Sequence, residues 1–88
     1  MYCYEIIPSL QKTLNKLSKK DKKTYEIAMG KIEEIIKNPQ HFKPLMHSLA
    51  GERRVHIMKS FVLKYEIDEA NKTVIFLFFG HHDDAYGR

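Results

Sequence analysis

The sequence contains very little cysteine and no long hydrophobic run. Its 88 residues include a single cysteine, Cys3, which excludes an internal disulfide and favours a reducing compartment. No window approaches the ~18 apolar residues that a membrane-spanning helix needs, and no charged segment followed by an apolar run opens the sequence. We therefore expect a cytoplasmic protein that does not associate with membranes.

Sequence motifs for metal ions and for phosphate loops are also missing. The chain has no cysteine pair, no His-Glu-x-x-His helix and no glycine-rich phosphate loop. His81 and His82 are adjacent, and adjacent side chains on an extended chain point in opposite directions, so one ion cannot easily bind both. We expect neither a metal ion nor a cofactor.

Positive charge, by contrast, is in surplus. Fifteen lysines and arginines outnumber eleven acidic residues, which gives a net charge of +4 before the five histidines are counted. A chain of this length forms one domain, and we assign residues 1–88 to it. The positive excess favours a polyanionic partner but does not distinguish RNA, DNA and an acidic protein.

The first half of the sequence predicts a strand and two helices. Aromatic and β-branched residues over 2–7 indicate the strand. The apolar stripe of a short first helix consists of Leu10, Leu14 and Leu17. A second amphipathic helix begins at a cap residue, Asp21, ends before Pro39 and forms a helical hairpin with the first.

The second half predicts three strands. Segments 53–57 and 61–67 alternate apolar and polar residues and are joined by a short link, as in a β-hairpin. Segment 73–79 is almost wholly apolar, which is typical of a central strand that is covered on both faces. The resulting fold is α+β with the order β-α-α-β-β-β, in which the helical hairpin packs on one side of a mostly antiparallel four-stranded sheet.

Ionisable residues follow the last predicted strand directly. Positions 81–84 are two histidines and two aspartates, and such a run is either a polar tail or a set of side chains presented by the end of a central strand. Arg54 and His56 share one face of an earlier strand because they are two positions apart. One surface of the sheet is therefore expected to carry Arg54, His56, Lys64, His82 and Tyr86.

These residue types suit metal-independent cleavage of RNA. Attack by a 2′-hydroxyl group needs a base, the leaving 5′-oxygen needs an acid, and the charge that develops on the phosphate needs cations. Histidine serves as acid or base near neutral pH because its ordinary pKa is about 6.5. Arginine supplies a fixed positive charge with a two-pronged donor geometry.

Three segments of the sequence resemble the RelE/ParE toxin superfamily. They are Arg53-Arg54-Val55-His56-Ile57, Phe61-Val62-Leu63-Lys64-Tyr65 and Gly80-His81-His82-Asp83-Asp84-Ala85-Tyr86. Many members carry the same types of residue: an arginine before a hydrophobic residue, an aromatic-x-hydrophobic-x-Tyr pattern, and Gly-His followed by a tyrosine. The predicted order of elements also matches the family along the whole chain.

The resemblance implies the toxin of a type II toxin–antitoxin system. The resemblance further implies an endoribonuclease that would cleave mRNA on the ribosome, inhibit translation and be neutralised by a cognate RelB-like antitoxin. Contact with operator DNA would occur through the toxin–antitoxin complex. Two alternatives remain open: a ParE-like inhibitor of DNA gyrase without nuclease activity, and an inactive relative that only binds its antitoxin.

Two positions depart from the common RelE pattern. Val62 stands where many RelE-like nucleases have an arginine at the scissile phosphate, and His82 stands where another arginine often follows the Gly-His pair. A histidine-using branch, of the YafQ type, is more similar, since its histidines correspond to His47, His56 and His82. The catalytic aspartate of that branch would fall at Ser60 in the hairpin turn, so that role is either vacant here or taken by Asp83.

The resemblance and the residue chemistry together suggest how the site is composed. We expect His56 and His82 to form the acid/base pair, and Arg54 to neutralise the phosphate. Tyr86 would stack on a base or orient it. The remaining catalytic candidates are Asp83 and His47, and the candidates for RNA binding are Lys43, Arg53, Lys59, Lys64 and His81.

Overall fold

The computed structural model describes residues 2–41 and 52–81. In chain order, its elements are β1 (Cys3–Ile6), α1 (Pro8–Lys20), α2 (Lys22–Lys37), a 3₁₀ turn (Pro39–His41), β2 (Arg53–Ile57), β3 (Phe61–Asp68) and β4 (Thr73–His81). The predicted α+β class and its β-α-α-β-β-β order are confirmed. Within the described ranges, no helix is long and apolar enough to cross a membrane.

The four strands form one mixed sheet. Their spatial order is β1-β4-β3-β2, in which β1 runs parallel to β4 and the other two neighbouring pairs are antiparallel. The sheet is therefore mostly antiparallel, as predicted. Along β4, Val74, Phe76 and Phe79 are buried, whereas Ile75 and Phe78 are only half-buried. The prediction that β4 is covered on both faces is therefore wrong for one of its two faces.

Both helices pack on one face of the sheet, which we call the inner face. Helix α1 contributes Leu10 and Leu14 to the core, and α2 contributes Ala28, Ile32 and Ile35. The inner-face strand residues in this core are Val55, Ile57, Leu63, Tyr65, Val74, Phe76 and Phe79. None of these side chains is more than 6% exposed, so the inner face supplies the hydrophobic stabilisation of the fold.

One residue, Asp21, ends the first helix and begins the second. Its backbone N–H donates to the carbonyl of Leu17 at 2.8 Å, which closes α1. Its carboxylate accepts from the Thr24 hydroxyl at 2.6 Å and from the Thr24 backbone N–H at 3.2 Å, which confirms the predicted cap of α2. These two hydrogen bonds hold the pKa of Asp21 below its ordinary value, because they favour the ionised form.

Tyr65 connects β3 to the turn that follows α2. Its ring is fully buried in the core, and its hydroxyl donates to the carbonyl of Pro39, in the turn after α2, at 3.0 Å. Burial raises the pKa of Tyr65 to about 12, although the positive charge of Arg53 opposes that rise. Tyr65 is the tyrosine of the aromatic-x-hydrophobic-x-Tyr pattern, and its described contacts are structural.

The hairpin turn between β2 and β3 contains two residues in the left-handed backbone conformation. Met58 has a φ of 55° and Lys59 has a φ of 67°. This conformation brings Cβ close to a carbonyl oxygen and costs a residue other than glycine roughly 1–2 kcal/mol. The turn therefore holds local strain at the end of the sheet where β2 passes into β3.

Candidate nucleic-acid interface

Alternation along the strands gives the sheet an outer face, opposite to the helices. Arg54 and His56 alternate with buried residues along β2, so they lie on this outer face. The register partners of these two residues on β3 and β4 extend across the sheet in two parallel rows of side chains. We call the rows the outer-face cluster, which consists of Arg54, Lys64 and Phe78 in the first row and His56, Val62 and Gly80 in the second.

The first row sets two cations side by side. Arg54 and Lys64 are register partners in the antiparallel β2–β3 pair, where opposite side chains have Cβ atoms about 5 Å apart. Two cationic side chains in adjacent positions favour an anionic partner at this part of the surface. Arg54 is exposed and Lys64 is half-buried.

The second row adds a histidine beside these cations. His56 is exposed, and its register partner Val62 is completely buried. Position 62 therefore supplies no charge, and the nearby cations of the cluster are Arg54 and Lys64. An imidazole next to two fixed cations is an arrangement that can transfer a proton and neutralise phosphate oxygens.

Phe78 and Gly80 complete the cluster with an aromatic surface. The Phe78 ring covers Gly80 so closely that a Cβ atom at position 80 would lie 2.8 Å from the ring's Cζ atom. Lys64 Nζ lies 5.8 Å from the centroid of the same ring, within the range of a cation–π contact. Only glycine at position 80 leaves room for the ring in this place.

A β-bulge in β4 determines which side chains reach the outer face. The register of β3 against β4 shifts at Leu77, which is an additional residue that the pairing skips. Before it, Phe76 faces the inner core; after it, Phe78 faces outward, although residues two apart normally share a face. The apolar run over 73–79 predicts a strand that is covered on both faces, and it carries no sign of this change in alternation, so the outward position of Phe78 was not predicted.

Two of the predicted RNA-binding residues lie on the inner face. Arg53 donates from Nη2 to Oε1 of Gln40 at 3.0 Å, and Gln40 in turn donates to a carboxylate oxygen of Glu69. His81 follows the bulge, and its ring centroid lies 4.7 Å from that of Phe61. The sheet separates Arg53 and His81 from the outer-face cluster, so their positions do not favour a direct part in the same site.

The remaining candidates divide between a turn and the parts of the chain outside the described residues. Lys59 is exposed in the turn between β2 and β3, at the end of the sheet nearest His56. The predicted residues outside the described ranges are His82, Tyr86, Asp83, His47 and Lys43. Their roles stay predictions.

A groove lies on the helical side of the sheet, between β1 and α2. This groove of about 920 Å³ is lined mainly by tyrosine, methionine and isoleucine side chains, and its described lining includes no histidine or arginine. In the ranges 2–41 and 52–81, no three His, Cys, Asp or Glu side chains are grouped so that they could hold a metal ion. The outer-face cluster is therefore the better candidate for chemistry on a phosphodiester.

Known proteins are similar to this chain in sequence and in fold. The model of the family described as "ParE toxin of type II toxin-antitoxin system, parDE" matches residues 4–86. The Methanocaldococcus jannaschii protein named "Putative toxin RelE4" is 57% identical over 86 residues, which cover 98% of this chain and 92% of that protein.

Two solved structures share the fold. A chain in the crystal structure of the intact E. coli RelBE toxin–antitoxin complex has a TM-score of 0.80 at 15% identity, with 94% of this chain and 99% of that chain covered. The isolated E. coli RelE toxin has a TM-score of 0.77 at 18% identity, with 98% and 92% covered. At these identities the likeness concerns the fold.

Proposed function

The chain belongs to the ParE toxin family of type II toxin–antitoxin systems, and from that premise we propose that it cleaves mRNA on the ribosome as a metal-independent endoribonuclease. The membership confirms the RelE/ParE resemblance seen in the sequence. The observation that carries the proposal is the outer-face cluster, in which His56 lies beside Arg54 and Lys64. Family membership alone does not favour a nuclease over another inhibitory activity, whereas this combination of side chains does.

The proposed reaction needs a proton acceptor, a proton donor and positive charge. The 2′-oxygen forms a bond to phosphorus as the bond to the 5′-oxygen breaks, which gives a 2′,3′-cyclic phosphate and a free 5′-hydroxyl. One histidine of the pair His56 and His82 accepts the 2′ proton, and the other donates a proton to the 5′-oxygen. Arg54 and Lys64 neutralise the additional negative charge on the phosphate oxygens.

The other predicted residues have supporting roles in this proposal. Tyr86 stacks on a base or orients it. Asp83 and His47 assist proton transfer, and Lys43 and Lys59 bind the RNA backbone. A histidine acid/base pair also implies a bell-shaped dependence of the cleavage rate on pH.

A comparison of neighbouring arginines tests the proposal. Arg54→Ala removes a cation from the cluster, and we expect the cleavage of mRNA on programmed ribosomes to fall by about 100-fold. Arg53→Ala is the matched control and should reduce cleavage much less, because Arg53 has the same charge one position away on the inner face. His56→Ala and His82→Ala should each lower cleavage by about 10²–10⁴-fold in folded protein. Wild-type cleavage by these histidine variants and by Arg54→Ala would show that the proposal is wrong.

We also propose a RelB-like antitoxin as the partner of this toxin in the cytoplasm. The positive outer-face cluster suits an acidic or amphipathic segment that folds as it binds, and a chain of the same fold occurs in a solved toxin–antitoxin complex. Such a segment would cover Arg54 and His56 and so prevent contact with the ribosome, and operator DNA would be bound through the complex. The test is co-purification with the product of an adjacent small gene, and Arg54→Glu should weaken that association.

The family description favours one second candidate, the inhibition of DNA gyrase. The match to a family described as ParE supports it, whereas the histidine beside two cations does not, because inhibition by protein contact needs no titratable group there. Purified protein should be assayed both for inhibition of supercoiling and for mRNA cleavage. Inhibition of gyrase without cleavage would replace the nuclease proposal, and the absence of both activities would favour an inactive relative that only binds its antitoxin.

A further inference from the structure

The outer-face cluster contains one group that acid/base chemistry does not use, the aromatic ring of Phe78. The inner-face core already contains Phe76 and Phe79, so packing of the core does not account for a third phenylalanine on the opposite face. The side chain is only half-buried, its ring lies over Gly80, and Lys64 Nζ is 5.8 Å from the ring centroid.

Two features of β4 hold the ring in this place. The bulge at Leu77 turns Phe78 outward, and Gly80 lacks the Cβ atom that would lie 2.8 Å from the ring. A bulge interrupts the hydrogen-bonded ladder and a glycine weakens a strand interior, so each feature alone is unfavourable for the sheet. Their combination maintains an outward aromatic ring against the local preference of the strand, which is typical of a functional group.

We propose that Phe78 is a stacking platform for a nucleobase of the RNA substrate, an inference that rests on the proposed function. Aromatic side chains stack on the bases of single-stranded RNA with little dependence on sequence. Lys64 lies between Phe78 and Arg54 in the same row of the sheet. A base on the ring therefore brings its own phosphate towards the two cations, with His56 in the next row.

A fluorescent reporter can be placed at the platform without competing signals. The chain contains no tryptophan, so Phe78→Trp introduces a single indole at this position. Its emission should fall about twofold when a single-stranded oligoribonucleotide is added, because a base stacked on the indole quenches it.

Ile75→Trp is the matched control for this measurement. Ile75 is also a half-buried residue on the outer face, but its register partners are Glu66 on β3 and Glu5 on β1. An indole directly between two carboxylates repels a phosphate, so its emission should not change when RNA is added.

Substitutions of the ring separate stacking from packing. Phe78→Leu keeps apolar volume without a ring and should weaken RNA binding about tenfold, which raises KM with little change in kcat. Phe78→Tyr keeps the ring and should bind as the wild type does. Gly80→Ala should behave like Phe78→Leu, because the added Cβ displaces the ring. Circular dichroism of each variant checks that the fold is retained.

The outcomes distinguish this inference from the proposed function. The platform is rejected if the oligoribonucleotide does not quench Phe78→Trp, if Ile75→Trp is quenched equally, or if Phe78→Leu binds RNA as tightly as the wild type. Quenching of Phe78→Trp in a protein whose wild type cleaves no mRNA supports the platform and rejects the nuclease. Cleavage by the wild type without any quenching rejects the platform alone.

Discussion

The two faces of the sheet are built from alternate residues of the same strands, yet they serve different purposes. On the inner face, Arg53 donates to Gln40 in the turn that follows the helices. One position later, Arg54 lies on the outer face directly opposite Lys64, so two cationic side chains are adjacent there. Substitutions at neighbouring residues are therefore expected to change the stability and the proposed activity separately.

The largest expected effect belongs to the outer face. His56→Ala should lower the rate of mRNA cleavage by about 10²–10⁴-fold, because it removes half of the acid/base pair. Since His56 is exposed, the free energy of unfolding should change by less than about 0.5 kcal/mol. Cleavage on programmed ribosomes and urea denaturation measure the two quantities. A large loss of stability in this variant would contradict the proposal that outer-face residues can be substituted without destabilising the fold.

The inner face should show the opposite behaviour in Tyr65→Phe. The ring stays in the core, but the buried carbonyl of Pro39 loses its donor, so the free energy of unfolding should fall by about 1–2 kcal/mol. Cleavage per folded molecule should stay at the wild-type level, which an assay below the midpoint of unfolding can check.

The same hydroxyl makes the stability sensitive to alkaline pH. Folding raises the pKa of Tyr65 from 10.0 to about 12, so its contribution to stability is complete below pH 10 and is lost as the pH rises towards 12. Tyr65→Phe should lack this alkaline dependence in denaturation curves. If the two proteins lose stability in parallel above pH 10, the tyrosine is not the responsible group.

A smaller effect, of the opposite sign, is expected in the turn that joins β2 to β3. Lys59→Gly relieves a left-handed conformation and should raise the free energy of unfolding by about 0.5–1 kcal/mol. The variant also loses a cation near His56, so its affinity for RNA should fall slightly if Lys59 binds the backbone. Ser60→Gly is the control: Ser60 has no positive φ, and glycine there should reduce stability.

The smallest expected change in stability concerns Asp21, at the junction of the two helices. Because hydrogen bonds from Thr24 lower the pKa of Asp21, the ionised cap adds stability above the ordinary aspartate pKa of 3.8, and this is lost as the pH falls below it. Asp21→Asn should keep the cap and show a shallower loss of stability in acid, measured by denaturation at several pH values. If the dependence of stability on acid pH is the same in Asp21→Asn and in the wild type, other carboxylates are responsible for the loss of stability in acid.

The sequence could predict the outer face where the strands are regular. Arg54 and His56 are two positions apart in a strand without a bulge, so alternation alone places them together. The same argument fails in β4, where the skipped residue Leu77 moves Phe78 to the outer face and His81 to the inner one. A bulge is chosen by the fit of neighbouring strands, and the residues of the bulged strand alone do not report it.

The order of the strands in the sheet likewise could not be predicted from local sequence patterns. The amphipathic helices and the β2–β3 hairpin follow from residues close in sequence, and both were predicted. The pairing of β1 with β4, by contrast, depends on how the helical hairpin carries the chain back across the sheet. The proposed roles of His82 and Tyr86 rest on the residue chemistry of the sequence and on the family resemblance, because both lie outside the described residues.

The parallel pairing of β1 with β4 has a consequence for how the chain is made. Cys3 pairs with Thr73 and Ile6 with Phe76, so this contact closes a loop of about 70 residues, a separation that slows folding. Since β4 lies between β1 and β3 in the sheet and is the last described element in the chain, a nascent polypeptide lacks its central strand until residues 73–81 have been synthesised. Before that point it also lacks Phe78 and Gly80, so the outer-face cluster forms only late in synthesis, after most of the domain has been translated.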